Sequence, residues 1–524
     1  MNLGLILHAS CCVLIAAAAA ARPPAVQVSS PGTYDAEELS IAIDPTDPNV
    51  LVAGANLAYA FRSGDGGQTW SQSVLSSTLG VVGDPMVAFG PDGRCHYAHL
   101  SLPNGGSWLD RIVVQLSLDG GVSWNDGVGV GLRPPRDQDK EDITTDDTDS
   151  PWRGNIYMAW TEFDSYGSTS PTDSSRIRFA SSTDNGATWT LRKISDRGGD
   201  CRDDDATVEG TSIAVGPDGE VYVMWCSHDR LIMDRSLDGG LTFGTDTVIC
   251  TQPGGWVFDV PGIYRANGFG TLTCDRSESP RRGRLTAVFS DQRAGPDDTD
   301  VLICTSDDGG MTWTDPRPVH ATGSPSHQFF PAAVTDPVTG DLHVAYYDRA
   351  ATAGIATDVV TASSTDGGLT FDYVTVSAAS FTPNVDFFFG DYIGIDARGG
   401  RAHPIWMSMD QLGILTVHTA ALDFASGITT AVTRAVVMQA PASPNTGRTR
   451  LSFRTFADGP VSVEVYDVRG ARVRTLLHEE RAAGAYTEEW DGRDAAGRAA
   501  ASGVYMVRVR AGAEQAVRKV VLSR

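Results

Sequence analysis

Along this 524-residue chain, carboxylates, guanidinium groups and aromatic rings recur beside short apolar runs. WTEFD carries Glu162, WCSHDR ends on Arg230, FSDQR holds Asp291 and Arg293, and YYDR holds Tyr347, Asp348 and Arg349. Ahead of other apolar runs stand GDP with Asp84, HQFFP with Gln328 and Phe329, and FFFGDYIG with Asp391 and Tyr392. Gathered in one place, these groups would make a mouth that holds a polar ligand. Left apart, they read as ion pairs between neighbouring elements, because Asp229, Asp291 and Asp348 each lie within two residues of an arginine. Both readings stay open on the residues alone.

The elements that must position them are repeats. SGDGGQTW begins at Ser63, and its shape returns as SLDGGVSW from Ser117, STDNGATW from Ser182, SLDGGLTF from Ser236, SDDGGMTW from Ser306 and STDGGLTF from Ser364. A short acidic side chain in such a turn accepts hydrogen bonds from the loop's own amides. The glycines supply positive φ without steric cost, and the closing aromatic buries apolar surface between sheets. Asp65, Asp119, Asp184, Asp238, Asp308 and Asp366 are therefore expected to hold the scaffold.

A strand–turn–strand unit accompanies these turns at Ser40–Gly54, Pro85–Leu100, Asp142–Trp160, Ser212–Trp225, Thr271–Phe289 and Pro331–Tyr347, and recurs without one at Tyr392–Met407. A spacing of roughly 45 to 70 residues suits four-stranded propeller blades. The expectation is an all-β propeller of seven blades, with six as the alternative. VQVSS at Val26–Ser30 would complete the last blade and remove a free sheet edge. Antiparallel blades put the Asp turns on one rim and the candidate site loops on the other, around the axis.

The six turns resemble the Asp boxes, or BNR repeats, of the sialidase superfamily, over roughly residues 30 to 430. That resemblance implies a β-propeller directed at glycans and an exo-α-sialidase type of glycoside hydrolysis; sialidases proper have six blades. It implies a carboxylate clamp of three arginines, for which Arg230, Arg293 and Arg349 are the candidates, flanked by Asp291, Asp348, Gln328 and Phe329. It further implies a tyrosine nucleophile (Tyr347 or Tyr392), Glu162 as its base, and Asp84 or Asp391 as the proton donor. The Arg-Ile-Pro opening of sialidase domains is absent, YDAEELSIAID standing there instead. A propeller that binds a glycan or a protein without catalysis is the alternative.

A net charge of −24 argues against nucleic acid and anionic membranes as partners. The acidic runs Arg136–Asp149, Cys201–Asp205 and Gly295–Asp300 could collect Ca²⁺ oxygens. None forms a complete EF-hand, so no cofactor and no metal ligand are assigned. Residues 1–21 read as a signal peptide, and no other segment is apolar enough to be a transmembrane anchor. The product is expected to be secreted or held at a bacterial cell surface. Its six remaining cysteines permit disulfides without fixing a pairing.

The expected division is a propeller over 22–437, a linker over 438–447 and an Ig-like β-sandwich over 448–524, where apolar and polar residues alternate in short runs. The stretch VEVYDVRGARVRTLL…WDGRDAAGRAAASGVYMVRVRAG…RKVVLSR is similar to the FlgD-like Ig fold and to type IX secretion sorting domains. That likeness implies export machinery as a partner, with RKVVLSR as the recognised end.

Overall fold

The computed structural model describes residues 25–104, 106–320, 326–410, 412–424, 437–439, 449–455, 459–482, 484–511 and 514–523. The signal segment 1–21 and linker residues 440–447 lie outside them. The chain forms two compact units, divided between Thr429 and Thr430. No α-helix occurs among the described residues.

In the first unit, seven antiparallel sheets follow one another along the chain. Their innermost strands are Ser40–Ile43, Met86–Phe89, Asp137–Thr145, Val208–Val215, Thr271–Cys274, Gln328–Thr335 and Gly394–Arg398. Each packs on the next, and the last packs on the first, so the ring is closed and the unit is a β-propeller. Six sheets take four consecutive strands each. The seventh borrows its outermost strand from the far end of the unit: Val26 and Gln27 pair with Thr419 and His418. Radial repetition of this kind leaves only short outer edge strands, such as Ser71–Val74 and Val128–Val130.

Burial explains the composition of the strands. Second strands such as Ile156–Phe163 and Val221–Ser227 are covered on both faces and read as continuous apolar runs. Between sheets the cores are apolar, as where Trp160, Met158 and Ile143 meet Leu100, Leu109 and Ile112.

All six Asp boxes have one geometry. Asp65 accepts from the Thr69 amide at 2.9 Å and the Thr69 hydroxyl at 2.6 Å, while Ser63 Oγ donates to it at 2.8 Å. The same set recurs at Asp119, Asp184, Asp238, Asp308 and Asp366. These bonds hold the Asp65 carboxyl down at about 2. The boxes lie on the rim of the first turn of each sheet: the Gly66 amide donates to Asn49 O at 2.9 Å.

In the second unit, Thr449–Thr455 lies between Val437–Gln439 and Gly484–Trp490, and a four-stranded sheet is ordered Arg472–Arg481, Gly459–Asp467, Gly503–Ala511, Glu514–Leu522. Trp490, Val463, Val507 and Leu451 are fully buried in its core. Val437–Gln439 thus pairs within this unit, across the stretch expected to end the propeller and begin the linker. Val520 and Leu522 belong to the same core, so the basic-apolar end is part of the sandwich and not a free tail.

Candidate functional site

The inner strands all enter the ring from the rim opposite the Asp boxes, and they do so through a repeated kink. Glu38, Asp84, Lys140, Gly210 and Phe330 occupy corresponding places just before the regular pairing begins, and all five have positive φ, between 43° and 74°. In the third, fourth and sixth sheets the register slips there, between Asp139 and Asp142, Glu209 and Ser212, and Phe329 and Ala332. Such left-handed residues and bulges re-aim side chains at sheet ends, and side-chain-bearing residues rarely hold that conformation without a local reason. Here they end five of the inner strands beside the mouth of a central cavity of about 270 Å³ lined by strands of all seven sheets.

Five carboxyls stand at or beside these kinks: Glu38, Asp84, Asp139, Glu141 and Glu209. Glu38 is buried, and its carboxyl hydrogen-bonds that of Asp84 on the neighbouring sheet. Burial first, and the charge of Asp84 second, push Glu38 well above the usual carboxylate range. Asn56 organises the pair: its amide donates to Glu38, and its Oδ1 accepts the Asp84 amide at 2.8 Å. Burial likewise raises Asp139, Glu141 and Glu209 well above the ordinary range. Both Glu141 oxygens and the Tyr392 hydroxyl are buried without a hydrogen-bond partner. Lys140 Nζ lies 4.2 Å from the Tyr392 ring centre. Among the described residues no group of three or more His, Cys, Asp or Glu side chains is placed to hold a metal ion.

A hairpin, Val257–Phe258 with Ala266–Asn267, covers this mouth. From it Arg265 binds Asp391 through Nε at 3.0 Å and also through Nη2, and it reaches Asp203 with Nη1 at 2.6 Å. Its guanidinium sits over the Trp256 and Phe388 rings at 5.2 and 5.1 Å. Asn267 Nδ2 adds two bonds of 3.0 Å to Asp391. Burial raises the Asp391 carboxyl, and Arg265 opposes it. Trp256 Nε1 donates to Glu209 at 2.8 Å. Tyr264 (62% exposed), Phe387 (43%) and Trp108 (51%) leave aromatic surface in solvent, Tyr264 edge-on to Phe388 and Trp108 edge-on to Tyr166, whose hydroxyl donates to Asp203.

The structure thus brings together Asp84, Asp391 and Tyr392 of the residues singled out from sequence. It does not assemble the others with them. Tyr347 is fully buried among Phe329, Phe330, Phe381 and Phe389, and its hydroxyl donates to Met407 O at 2.8 Å, so its oxygen is held inside the core, away from any ligand at the mouth. Glu162 lies in another sheet, fully buried and bonded to Arg133, Arg136 and Arg176, which removes it as the base for Tyr347.

The three candidate clamp arginines share no partner. Arg293 is tied to Asp291. Arg349 is buried against Phe329, bonded to Thr357 Oγ1 at 3.0 Å and Pro261 O at 2.8 Å, and burial lowers it to about 10. Arg230 is exposed at the start of its strand. Asp348 accepts from Gln328 at 2.9 Å and not from Arg349.

Sequence reading passed over Glu38, Asp139, Glu141, Asp203, Glu209, Arg265 and Asn267. The signal was available in the repeat: Glu38, Asp84, Lys140, Gly210, Phe330 and Tyr392 all stand two residues ahead of an aligned inner-strand residue. In sequence Asp139 and Glu141 fall within the run Arg136–Asp149, and Asp203 within Cys201–Asp205, which suggest Ca²⁺ oxygens instead.

Residues 442–515 match the family model of the FlgD Ig-like domain. No curated protein matches the chain. Similar solved structures include a mutant of NanB sialidase from Streptococcus pneumoniae, 12% identical over 65% of this chain and 68% of that one, with a TM-score of 0.42. An α-L-arabinofuranosidase from Fusarium graminearum is 12% identical over 77% of this chain and 98% of that one, with a TM-score of 0.43. A protein from Dyadobacter fermentans is 15% identical over 65% and 94%, with a TM-score of 0.41.

Proposed function

We propose that the chain is an exported, sialidase-like propeller directed at a glycan, and that its mouth hydrolyses a glycosidic bond. One observation carries the reading: the hydrogen-bonded carboxyls of Glu38 and Asp84, on adjacent inner strands. Two carboxyls in contact cannot both ionise readily, so at neutral pH the pair holds one proton and one negative charge. That supplies an acid for a leaving oxygen; the second carboxyl that glycoside hydrolysis needs stands about 5 Å or more from the acid, and so comes from the mouth's other carboxyls and not from within the pair. Glu38, which burial keeps protonated, is the acid, and Asp84, the less buried member, faces the ligand. The exposed rings of Tyr264, Phe387 and Trp108 offer apolar faces on which a sugar can stack.

The test is release of aglycone from a panel of aryl glycosides, neutral sugars and an α-sialoside among them. Asp84→Asn should lower turnover by about 10²–10⁴-fold. Undiminished turnover by that variant would remove the pair from the chemistry.

A second reading has its own support. Arg265 spans the mouth between Asp203 and Asp391 in the manner of a fixed brace, which suits a propeller that binds a glycan or a protein on its rim and catalyses nothing. Glycan-array binding without turnover of any glycoside selects this reading.

The match of residues 442–515 to an Ig-like family supports delivery to a cell surface by export machinery that engages the second unit. Cell fractionation should show surface propeller for the full chain and none for a chain ended at Thr429; equal signals would dismiss that role.

A further inference from the structure

The third sheet carries four arginines around two carboxylates. Glu162 is fully buried and accepts from Arg133 Nη1 at 3.1 Å, Arg136 Nη1 at 3.0 Å and Arg176 Nη1 at 3.0 Å, all at Oε1. Asp164 accepts from Arg136 Nε at 3.0 Å and Arg176 Nη2 at 2.8 Å. Arg176 and Arg178 stand two residues apart on strand Ser175–Ser182 and so share a face. Across the ladder Arg176 is opposite Glu162, and Arg178 is opposite Trp160.

Arg178 completes the cluster without being satisfied by it. It makes no hydrogen bond or ion pair among the described residues, and its Nε is buried without a partner. Burial lowers its proton affinity; Glu162 opposes this, and Arg133, Arg136 and Arg176 add to it. Four guanidiniums against two carboxylates leave two positive charges in surplus, packed together in a chain whose net charge is −24. A buried donor left unbonded and like charges held close both cost free energy unless something negative joins them. The approach is open, because the side chains of Arg133 and Arg136 are 42% and 32% exposed.

We propose that this cluster is an oxyanion site, lodged between the second and third sheets and separate from the mouth, that takes a carboxylate or sulfate group. Arg178 and Arg133 present their forks to the anion, a geometry that guanidinium matches in pairs. Arg136 and Arg176, locked by Glu162 and Asp164, hold the site in shape. The acidic mouth repels such a group, so an acidic substituent on a glycan would be read here and not at the axis. The assignment does not depend on whether the mouth is catalytic.

The experiment is thermal unfolding and calorimetric titration of the full chain with sodium sulfate, sodium glucuronate and a sulfated monosaccharide, each against sodium chloride at equal ionic strength. Wild type should gain Tm saturably, as a ligand that binds only the folded state requires. Arg178→Gln should bind at least about tenfold more weakly, and Arg178→Lys should recover part of the loss. Saturation by inorganic sulfate identifies a free oxyanion as sufficient; saturation by the sugars alone identifies a sugar-borne group. No gain over chloride in wild type, or an equal gain in Arg178→Gln, overturns the proposal. If Arg178→Gln does not fold, Arg133→Gln, at a half-exposed position, is read by the same criteria.

Discussion

Arg265 grips Asp391 side-on across 126 residues of sequence, and the same guanidinium holds Asp203. The brace connects the loop before the fourth sheet to the loop before the seventh, through a hairpin that belongs to neither. Its worth lies less in the attraction than in what its removal exposes. Asp391 is buried, and without the guanidinium its charge has only Asn267 to answer it.

Arg265→Ala should therefore lower the unfolding free energy by about 3 kcal/mol, the lower end of the cost of orphaning a buried charge. Adding Asp391→Asn should recover part of that loss, because the neutral amide keeps the bond to Asn267 without the stranded charge. A double-mutant cycle in denaturant measures the coupling. Strict additivity of the two substitutions would show that the pair is not a unit.

The mouth's carboxyls also set a pH dependence. Burial, with Asp35 adding to it, raises Glu37 from 4.5 to about 8, while Asn56 acts in the opposite direction. Folded, Glu37 keeps its proton up to about pH 8; unfolded, it releases it near 4.5. The folded state therefore binds the extra proton between those values, and stability falls as pH rises through the window. Glu37→Gln cannot titrate, so its unfolding free energy should decline less than that of wild type between pH 5 and 8, by an amount on the order of a few kcal/mol at most, and its Tm should fall less accordingly. Parallel Tm curves over that range would place the Glu37 proton elsewhere.

How much of this was readable beforehand depends on the distance over which each bond acts. The Asp boxes were legible because Ser63, Asp65 and Thr69 satisfy one another within seven residues. The ring was legible because repetition betrays it, down to Val26 and Gln27 closing the seventh sheet. The ion pairs were half legible. Asp291 ends its strand and the turn after it brings Arg293 back, amide and guanidinium both donating to the Asp291 carboxylate, whereas Asp348 meets Gln328 and Arg349 meets Thr357 and Pro261. The mouth was hardest. Glu38, Asp139, Glu141 and Glu209 look in sequence like solvated charges; only convergence at the axis buries them. Arg265 sits in a connection whose course nothing local dictates.

The thiols give the last prediction. Cys250 lies on the outermost strand of the fourth sheet and Cys304 on the third strand of the fifth. The neighbouring Cys250 thiol, together with burial, raises Cys304 far above the ordinary thiol range. Both pack into one core with Trp313 and Leu302. Incubation with oxidised glutathione should join them: two thiols give up two electrons and two protons, one disulfide forms, and two molecules of reduced glutathione leave. A peptide map should contain the Cys250–Cys304 linkage, and oxidised protein should be more stable than reduced by about 2–4 kcal/mol. Cys250→Ser should abolish both the linkage and the gain. Recovery of Cys304 as a free thiol after oxidation would mean that the two sheets hold the sulfurs too far apart or at the wrong angle to bond.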